Sequence, residues 1–236
     1  MNYLQLAQRL RSECEIPGTG PSTVVGQSGQ LLRLANWIAD AYEDIQNQSS
    51  AWRWLRRPFT LNTVNNDDSY APTDATDVDA AAPIARFSHW WTHDTMDPYT
   101  AYLQSAGVAG QYRLVTVSWE QFKWLYRFGS QSSSPSQPIH VAVDHQNNLV
   151  LGPKPNGIYV IGGDFQRSAQ RLTADADIPE MPIAYHLLIV YHAMAKYGAN
   201  SVASEVFARA QLEAAKLGGA LRQDQLEMMA MADALI

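Results

Sequence analysis

Residues 149–197 change from β-type to α-type patterning within one stretch of chain, and this change limits the folds available. Two apolar runs, 149–151 and 158–161, each end at glycine or proline, so they predict two strands joined as a β-hairpin. The segment 177–182 contains two prolines and can be neither a strand centre nor a helix interior. From Ile183 the apolar residues recur at helical spacing. The stretch therefore predicts an α+β fold in which a β unit leads into a helix.

The remaining patterns place helices towards both ends of the chain and strands in its middle. Amphipathic helical spacing occurs at 3–14, 30–48, 183–197 and 202–217. Short strands are predicted at 59–61, 84–91, 112–117 and 139–143, with one short helix capped by Ser118. We predict a helical bundle formed by the N- and C-terminal helices, residues 1–55 and 178–219, with a small antiparallel β unit, 56–177, inserted between them. Gly218 and Gly219 are predicted to end the last helix, which leaves 220–236 as a C-terminal tail.

The negative charge is concentrated in one part of the chain. Residues 61–100 contain seven aspartates and one base, Arg86, so this segment alone accounts for the net charge of −6. A general basic nucleic-acid binder is therefore disfavoured. Within the segment, 65–83 is rich in Ala, Thr and Asn and lacks periodic apolar residues, which predicts a long exposed loop.

Motifs for catalysis, cofactors and metals are weak. The single cysteine, Cys14, allows no internal disulfide and is expected in the core. The glycine-containing loop 16–29 lacks the Lys-Ser/Thr of a phosphate-binding loop. His89 and His93 have no third ligand with a fixed place. We therefore predict no cofactor and no metal. No apolar run approaches the roughly 20 residues needed to cross a membrane, and the expectation is a soluble chain made in a cytoplasm.

The tryptophans of the middle region leave an enzymatic alternative open. Trp90, Trp91, Trp119 and Trp124 could stack on sugars, and the aspartates could act as an acid and base pair. This would make the protein a carbohydrate-binding module or glycosidase. A carboxyl in an unpacked loop, however, has nothing to raise its pKa for general-acid work. A regulatory interaction domain is the other alternative.

Two separated stretches resemble the head-to-tail adaptor (connector) proteins of tailed bacteriophages. The first runs from Gly20-Pro21 through Trp37-Ile38 to Trp52-Arg53-Trp54-Leu55. The second is carried by Gly157, Tyr159, Leu172, Asp175, Asp177, Pro179, Pro182, Tyr185 and His186. Together they cover roughly half of the chain, while residues 60–145 show no residue-by-residue match.

The resemblance implies a structural virion protein and not an enzyme. Such a protein would be assembled in the cytoplasm of the bacterial host. It would form a homo-oligomeric ring, a homododecamer in this family, between the portal protein and a tail or nozzle protein. DNA would pass through the channel without specific binding, and no membrane would be involved.

The resemblance also suggests three candidate contact regions. A portal-docking tail would use six apolar residues: Leu221, Leu226, Met228, Met229, Met231 and Leu235. The alternative for this tail is that it folds back on its own helices. The lumen or a subunit interface would carry five acidic residues: Asp67, Asp68, Asp74, Asp77 and Asp79. A partner could contact Arg53, Arg56 and Arg57, although packing of these arginines over tryptophan is the simpler interpretation.

Overall fold

The chain forms two compact units. The computed structural model describes residues 1–92, 97–128, 134–201 and 203–226. The first unit comprises Met1–Leu55 and Ala169–Ile236, and the second comprises Arg56–Ser168. The fold is therefore a mixture of helix and sheet, of the α+β class. Residues 169–177, which the sequence analysis assigned to the β-rich insert, belong to the helical unit.

Five α-helices occur in the described residues. They are α1 (Tyr3–Glu13), α2 (Gly29–Asn47), α3 (Trp119–Tyr126), α4 (His186–Asn200) and α5 (Ser204–Gln225). Two of them begin with a polar side chain that accepts a backbone N–H of the first turn, and one of these caps, Ser118, was predicted from the sequence. The side chain of Asn2 accepts the backbone N–H of Gln5 at the start of α1, and the side chain of Ser118 accepts that of Gln121 at the start of α3.

The first unit has one apolar core, to which α1, α2, α4 and α5 all contribute. Helical spacing predicts six residues of this core. Five of them are buried as expected: Ile38, Tyr42, Ile45, Leu188 and Ile189. Val206 packs against the same core but is only partly buried. The apolar faces of α2 and α4 were thus predicted correctly.

The connector that precedes α4 is held to the N-terminal helices by hydrogen bonds. The carboxylate of Asp177 accepts the backbone N–H groups of Thr173 and Ala174 and closes a turn. The carboxylate of Asp175 accepts the backbone N–H of Val24 at 2.6 Å. The side chain of Gln46 donates to the carbonyl of Gln170 and accepts its N–H, both at 2.8 Å. These bonds place the connector in the helical unit.

The second unit contains eleven strands among its described residues, in two sheets. The strands are β1 (Arg56–Asn62), β2 (Ser69–Tyr70), β3 (Thr76–Asp77), β4 (Ala82–Pro83), β5 (His89–Trp90), β6 (Thr100–Leu103), β7 (Tyr112–Arg113), β8 (Val115–Thr116), β9 (His140–Val143), β10 (Leu149–Gly152) and β11 (Tyr159–Gln166). The seven-stranded sheet has the order β4-β3-β1-β11-β6-β7, and β5 also pairs with β11; the four-stranded sheet has the order β2-β10-β9-β8. All pairs are antiparallel except β8 with β9.

The four-stranded sheet has an apolar cluster on each face. Val141, Leu149 and Leu151 belong to the main core of this unit, which they share with the seven-stranded sheet. Ala142 and Val150 point the other way and pack with Phe122 of α3. Burial on both faces explains why β10 is a continuous apolar run and not an alternating one.

The predicted hairpin between 149–151 and 158–161 is wrong. β10 pairs with β9 and β2, whereas β11 pairs with β1, β5 and β6 in the other sheet. The intervening Pro/Gly segment therefore links two sheets and does not form a hairpin turn. The run 112–117 is likewise divided, because β7 joins the seven-stranded sheet and β8 the four-stranded one.

β11 also continues through Gly162 and Gly163, where the sequence predicted its end. A Cβ built on Gly163 would lie 2.6 Å from Cδ1 of Tyr99 and 3.1 Å from Cε1 of Phe59. Both of these rings are buried. Glycine is needed at 163 because an aromatic ring packs directly on the strand backbone.

α5 continues through Gly218 and Gly219 to Gln225, so the prediction that these glycines end the helix is wrong. A Cβ on Gly219 would meet nothing within 4 Å, and one on Gly218 would only touch Leu188 at 4.0 Å. A glycine inside a helix costs about 1 kcal/mol relative to alanine but does not stop it. Burial of Leu221 and Gln225 in the next turns holds the helix together beyond the glycines.

Candidate interaction surfaces

The predicted docking tail does not begin at residue 220. Leu221 is 1% exposed in the core of its own unit, and Leu226 packs against the same core. Leu221 is therefore not a free docking residue in this structure, and residues 220–225 continue α5 against the core of their own unit. Four further tail residues lie outside the described residues: Met228, Met229, Met231 and Leu235.

A groove of about 400 Å3 lies between α4 and α5. Its lining includes Ala195, Ala214, Gly218 and Gly219. Arg222 and Gln48 also line it, and the guanidinium of Arg222 donates to the side-chain oxygen of Gln48 at 3.1 Å. The two glycines that were predicted to end the helix thus open space beside it.

The acidic segment 65–83 is folded, contrary to the expectation of a long unpacked loop. It contributes β2, β3 and β4 to the two sheets. Tyr70 and Ala75 are buried in the core of the unit, and the Tyr70 hydroxyl donates to the carbonyl of Asp67 at 2.5 Å. These strands could not be predicted from the sequence, because each is only two residues long and shows no alternation.

The five aspartates of this segment differ in their availability. Asp77 is 8% exposed and accepts the backbone N–H groups of residues 79 and 80. Asp68 pairs with Arg127 at 3.0 Å and Asp79 with Arg57 at 2.5 Å, both within the same copy. Asp67 and Asp74 are exposed. Only part of the set can therefore face a channel or a neighbour.

The three candidate arginines fall in different units: Arg53 belongs to the first, and Arg56 and Arg57 begin the second. The guanidinium of Arg56 lies 3.3 Å from the ring centroid of Trp91, Arg57 pairs with Asp79, and Arg53 is exposed. Stacking of arginine over tryptophan is the simpler interpretation given above, with Trp91 as the ring in place of Trp52 or Trp54. Those two stack on each other at 4.4 Å.

Three of the four tryptophans proposed to stack on sugars are engaged in packing, and Trp124 alone is largely exposed. Trp90 is buried among Phe59 and Phe87, and the Arg56 guanidinium covers Trp91. Trp119 stacks on Phe122 and so contributes to packing of α3. Of the aspartates proposed as acid and base, Asp77 closes a turn, and Asp68 and Asp79 are in ion pairs.

One exposed aromatic surface was not predicted as a unit. Trp124 is 76% exposed and Phe128 is 70% exposed, and they lie four residues apart across the end of α3. Trp124 entered the predictions only as a residue of the sugar-binding alternative. The signal was available, because Trp124 and Phe128 fall off the face defined by Trp119, Phe122 and Tyr126.

Chemical sites of other kinds are not found in the described part of the chain. Burial raises the pKa of the Cys14 thiol to about 12, so this cysteine is not an activated nucleophile. No group of three or more His, Cys, Asp and Glu side chains among the described residues could hold a metal ion; His93 lies outside them. None of the described helices is both long and apolar enough to cross a membrane.

In the second stretch that resembles phage adaptors, most of the residues lie in the helical unit and stabilise its fold. Asp175 and Asp177 fix the connector, as described above, and Leu172 is buried in the core. The ring of His186 is buried, with Nε2 3.1 Å from the carbonyl oxygen of Met181. Their role in this chain is to build the fold, which makes them informative about family and not about a reactive site.

A family model for the SU10 adaptor protein matches residues 1–234. A comparison with curated proteins found no match. The family match includes the middle region, residues 60–145, which shows no residue-by-residue resemblance in the two stretches described above. Since the match spans nearly the whole chain, this protein belongs to the SU10 adaptor protein family.

Proposed function

We propose that this chain is a structural head-to-tail adaptor of a tailed bacteriophage, which binds the portal protein on one side and a tail or nozzle protein on the other. The observation that carries the proposal is the family match over residues 1–234. The protein would act in the virion and without enzymatic activity. The packing of Trp90, Trp91 and Trp119 and the ion pairs of Asp68 and Asp79 agree with a structural role.

In this proposal the copies form a closed ring, with twelve copies as the resemblance implies, around a channel for DNA. The chain has a formal charge of −6. A channel without a basic lining suits DNA passage, because clustered Lys and Arg would bind phosphates and hold the DNA back. The helical unit would form the body that meets the portal, and the β-rich unit would reach towards the tail.

Portal docking by the C-terminus remains part of the proposal, in a narrower form. Since Leu221 and Leu226 belong to the core of their own copy, docking would use the residues that follow, with Met228, Met229, Met231 and Leu235 as anchors. Methionine suits an irregular groove because its thioether side chain adapts to the surface it meets.

The proposal is tested by truncating the chain after Leu226, because the buried residues at the end of α5 are then kept. A chain that ends at Leu226 keeps Leu221 and Gln225 and is expected to unfold like the full-length protein. It should lose binding to purified portal rings in mass photometry. A chain that ends at Gly219 is the contrasting variant, because it loses Leu221 from the core and should be less stable. Full portal binding by the chain that ends at Leu226 would refute docking by 227–236.

A further inference from the structure

The aromatic pair Trp124 and Phe128, one in the last turn of α3 and one just beyond its end, is kept exposed by the way α3 packs. Trp124 and Phe128 are 76% and 70% exposed, although burial of such a side chain contributes roughly 1.5–3 kcal/mol. The opposite face of α3 is fixed, because Phe122 is fully buried and the Tyr126 hydroxyl lies 2.6 Å from Nδ1 of His140. The helix cannot rotate to bury the pair without breaking these contacts.

Two cations accompany the aromatic pair. Lys123 and Arg127 have the same four-residue spacing as Trp124 and Phe128, and we call these four residues the aromatic-cation face. Lys123 pairs with Glu120 and Arg127 with Asp68, and both cations are about one-third exposed. The pair between Lys123 and Glu120 is exposed on both sides and so is worth little, which lets Lys123 exchange its partner for a carboxylate on another molecule. Arg127 is held more firmly, because its partner Asp68 is only 13% exposed and its guanidinium lies 5.7 Å from the ring centroid of Phe122. Tryptophan with adjacent arginine is typical of interface anchors.

The same unit carries a surface of the opposite character at the end of its seven-stranded sheet. There β4 is the edge strand, and residues 78–83 are exposed throughout, with sequence Val-Asp-Ala-Ala-Ala-Pro. Asp74 is exposed beside them, and Val78 is 48% exposed. We call Asp74 and residues 78–83 the acidic edge. It offers small apolar groups to cover aromatic rings and the exposed carboxylate of Asp74 to meet a cation, while Asp79 is already paired with Arg57.

We propose that the aromatic-cation face of one copy docks on the acidic edge of the next copy in the ring. A closed ring is built from head-to-tail contacts between two different surfaces of each copy, and these two surfaces are complementary in both charge and apolarity. The two lie at different places in the unit, since α3 packs on β9 of the four-stranded sheet and β4 ends the seven-stranded one. The inference rests on the proposed adaptor function.

The first test removes the aromatic anchors. In the W124S/F128S variant both changes are at exposed positions, so the unfolding transition should not move. Its co-assembly on purified portal rings, followed by mass photometry, should require about tenfold or more higher adaptor concentration and lose its cooperativity. The matched control is V108S, because Val108 is 63% exposed in the same unit and outside both surfaces. It should assemble like the wild type.

The second test reverses charges across the proposed contact. Lys123→Glu and Asp74→Lys should each impair assembly, since each places like charges together. The double variant K123E/D74K should assemble better than either single variant. In it, the glutamate at 123 of one copy meets the lysine at 74 of the next, so each contact of the ring again joins opposite charges.

The outcomes separate the two levels of the proposal. Failure of the wild type to bind portal rings would contradict the adaptor function itself. Normal cooperative assembly of W124S/F128S on the portal would overturn this inference and leave the adaptor function intact. Absence of rescue in K123E/D74K would likewise overturn the assignment of the acidic edge as the partner surface.

Discussion

Gly163 is predicted to be a position where even one added methyl group destabilises the β-rich unit. In Gly163→Ala the new Cβ would start 2.6 Å from Cδ1 and 2.9 Å from Cε1 of Tyr99, and 3.1 Å from Cε1 of Phe59. Tyr99 is fully buried and Phe59 is 1% exposed, so neither ring can swing into solvent. The clash must be relieved by movement inside the core.

The magnitude follows from two opposing effects. Overpacking of a core by one methyl group costs about 1–3 kcal/mol. Replacing glycine restricts the unfolded chain and returns about 0.4–1 kcal/mol. The expected net loss in the free energy of unfolding is therefore about 1–2 kcal/mol. Gly162→Ala is the matched control, because its Cβ would meet only the Thr100 hydroxyl at 3.2 Å and the Phe59 carbonyl oxygen at 4.0 Å. Its change should stay within about 0.5 kcal/mol, as for a site without a severe clash.

Urea unfolding followed by tryptophan fluorescence and circular dichroism measures the difference. Trp90 is a suitable reporter, since its ring centroid lies 4.6 Å from that of Phe59 in the same core. The midpoint should fall in Gly163→Ala and stay near the wild-type value in Gly162→Ala. Equal midpoints for the two variants would refute the argument that Tyr99 packs on the backbone of β11.

Three further predictions concern the helical unit. Ile38→Ala and Leu188→Ala, at positions 0% and 1% exposed, should each lower its free energy of unfolding by about 2–5 kcal/mol in thermal or urea unfolding; unchanged midpoints would contradict the packing of α2 on α4. Burial lowers the pKa of His186 in the folded chain. At a pH below about 6.5, the ordinary pKa of histidine, the unfolded chain therefore binds a proton that the folded chain does not. Stability should therefore fall as the pH decreases from 7 to about 5.5, with a smaller slope in His186→Gln; an equal slope would remove His186 as a cause. Burial also raises the pKa of Cys14 to about 12, so alkylation by iodoacetamide at about pH 8 should be at least about a hundredfold slower than in urea, and equal rates would show that Cys14 is accessible.

The helices could be predicted from the sequence because their signals are local. Ile38, Tyr42 and Ile45 repeat at helical spacing on one face of α2, and Ser118 is a cap immediately before α3. These features depend only on residues within a few turns of each other. The length of α5 could not be predicted, because burial of Leu221 and Gln225 overrides the weak helix propensity of Gly218 and Gly219.

The sheet partners could not be predicted, because pairing depends on residues far apart in the chain. The runs that form β10 and β11 are close in sequence and both apolar, which favours a hairpin. In the structure β10 pairs with β9, and β11 pairs along its length with β1, about a hundred residues away. The acidic segment was assigned as a loop for the same reason, since β3 is stabilised by pairing with β1 and not by its own sequence pattern.

The candidate surfaces were predicted less well than the fold, because exposure depends on tertiary packing. Leu221 is an apolar residue in a segment predicted to dock on the portal, yet its side chain lies in the core. Trp124 is a residue type that is usually packed, yet its side chain lies at the surface. A helical projection of α3 would have separated Trp124 and Phe128 from Phe122 and Tyr126. The acidic composition identified a region but not which of its aspartates were already paired.

The most direct test of the adaptor account is cryo-electron microscopy of this chain mixed with the portal protein of the same phage. The account predicts a closed ring of copies, twelve if the resemblance holds, on one end of the portal around an open channel. In that ring α3 of each copy should lie against the acidic edge of its neighbour. Portal particles that carry no added density at saturating concentrations of the chain would contradict the account.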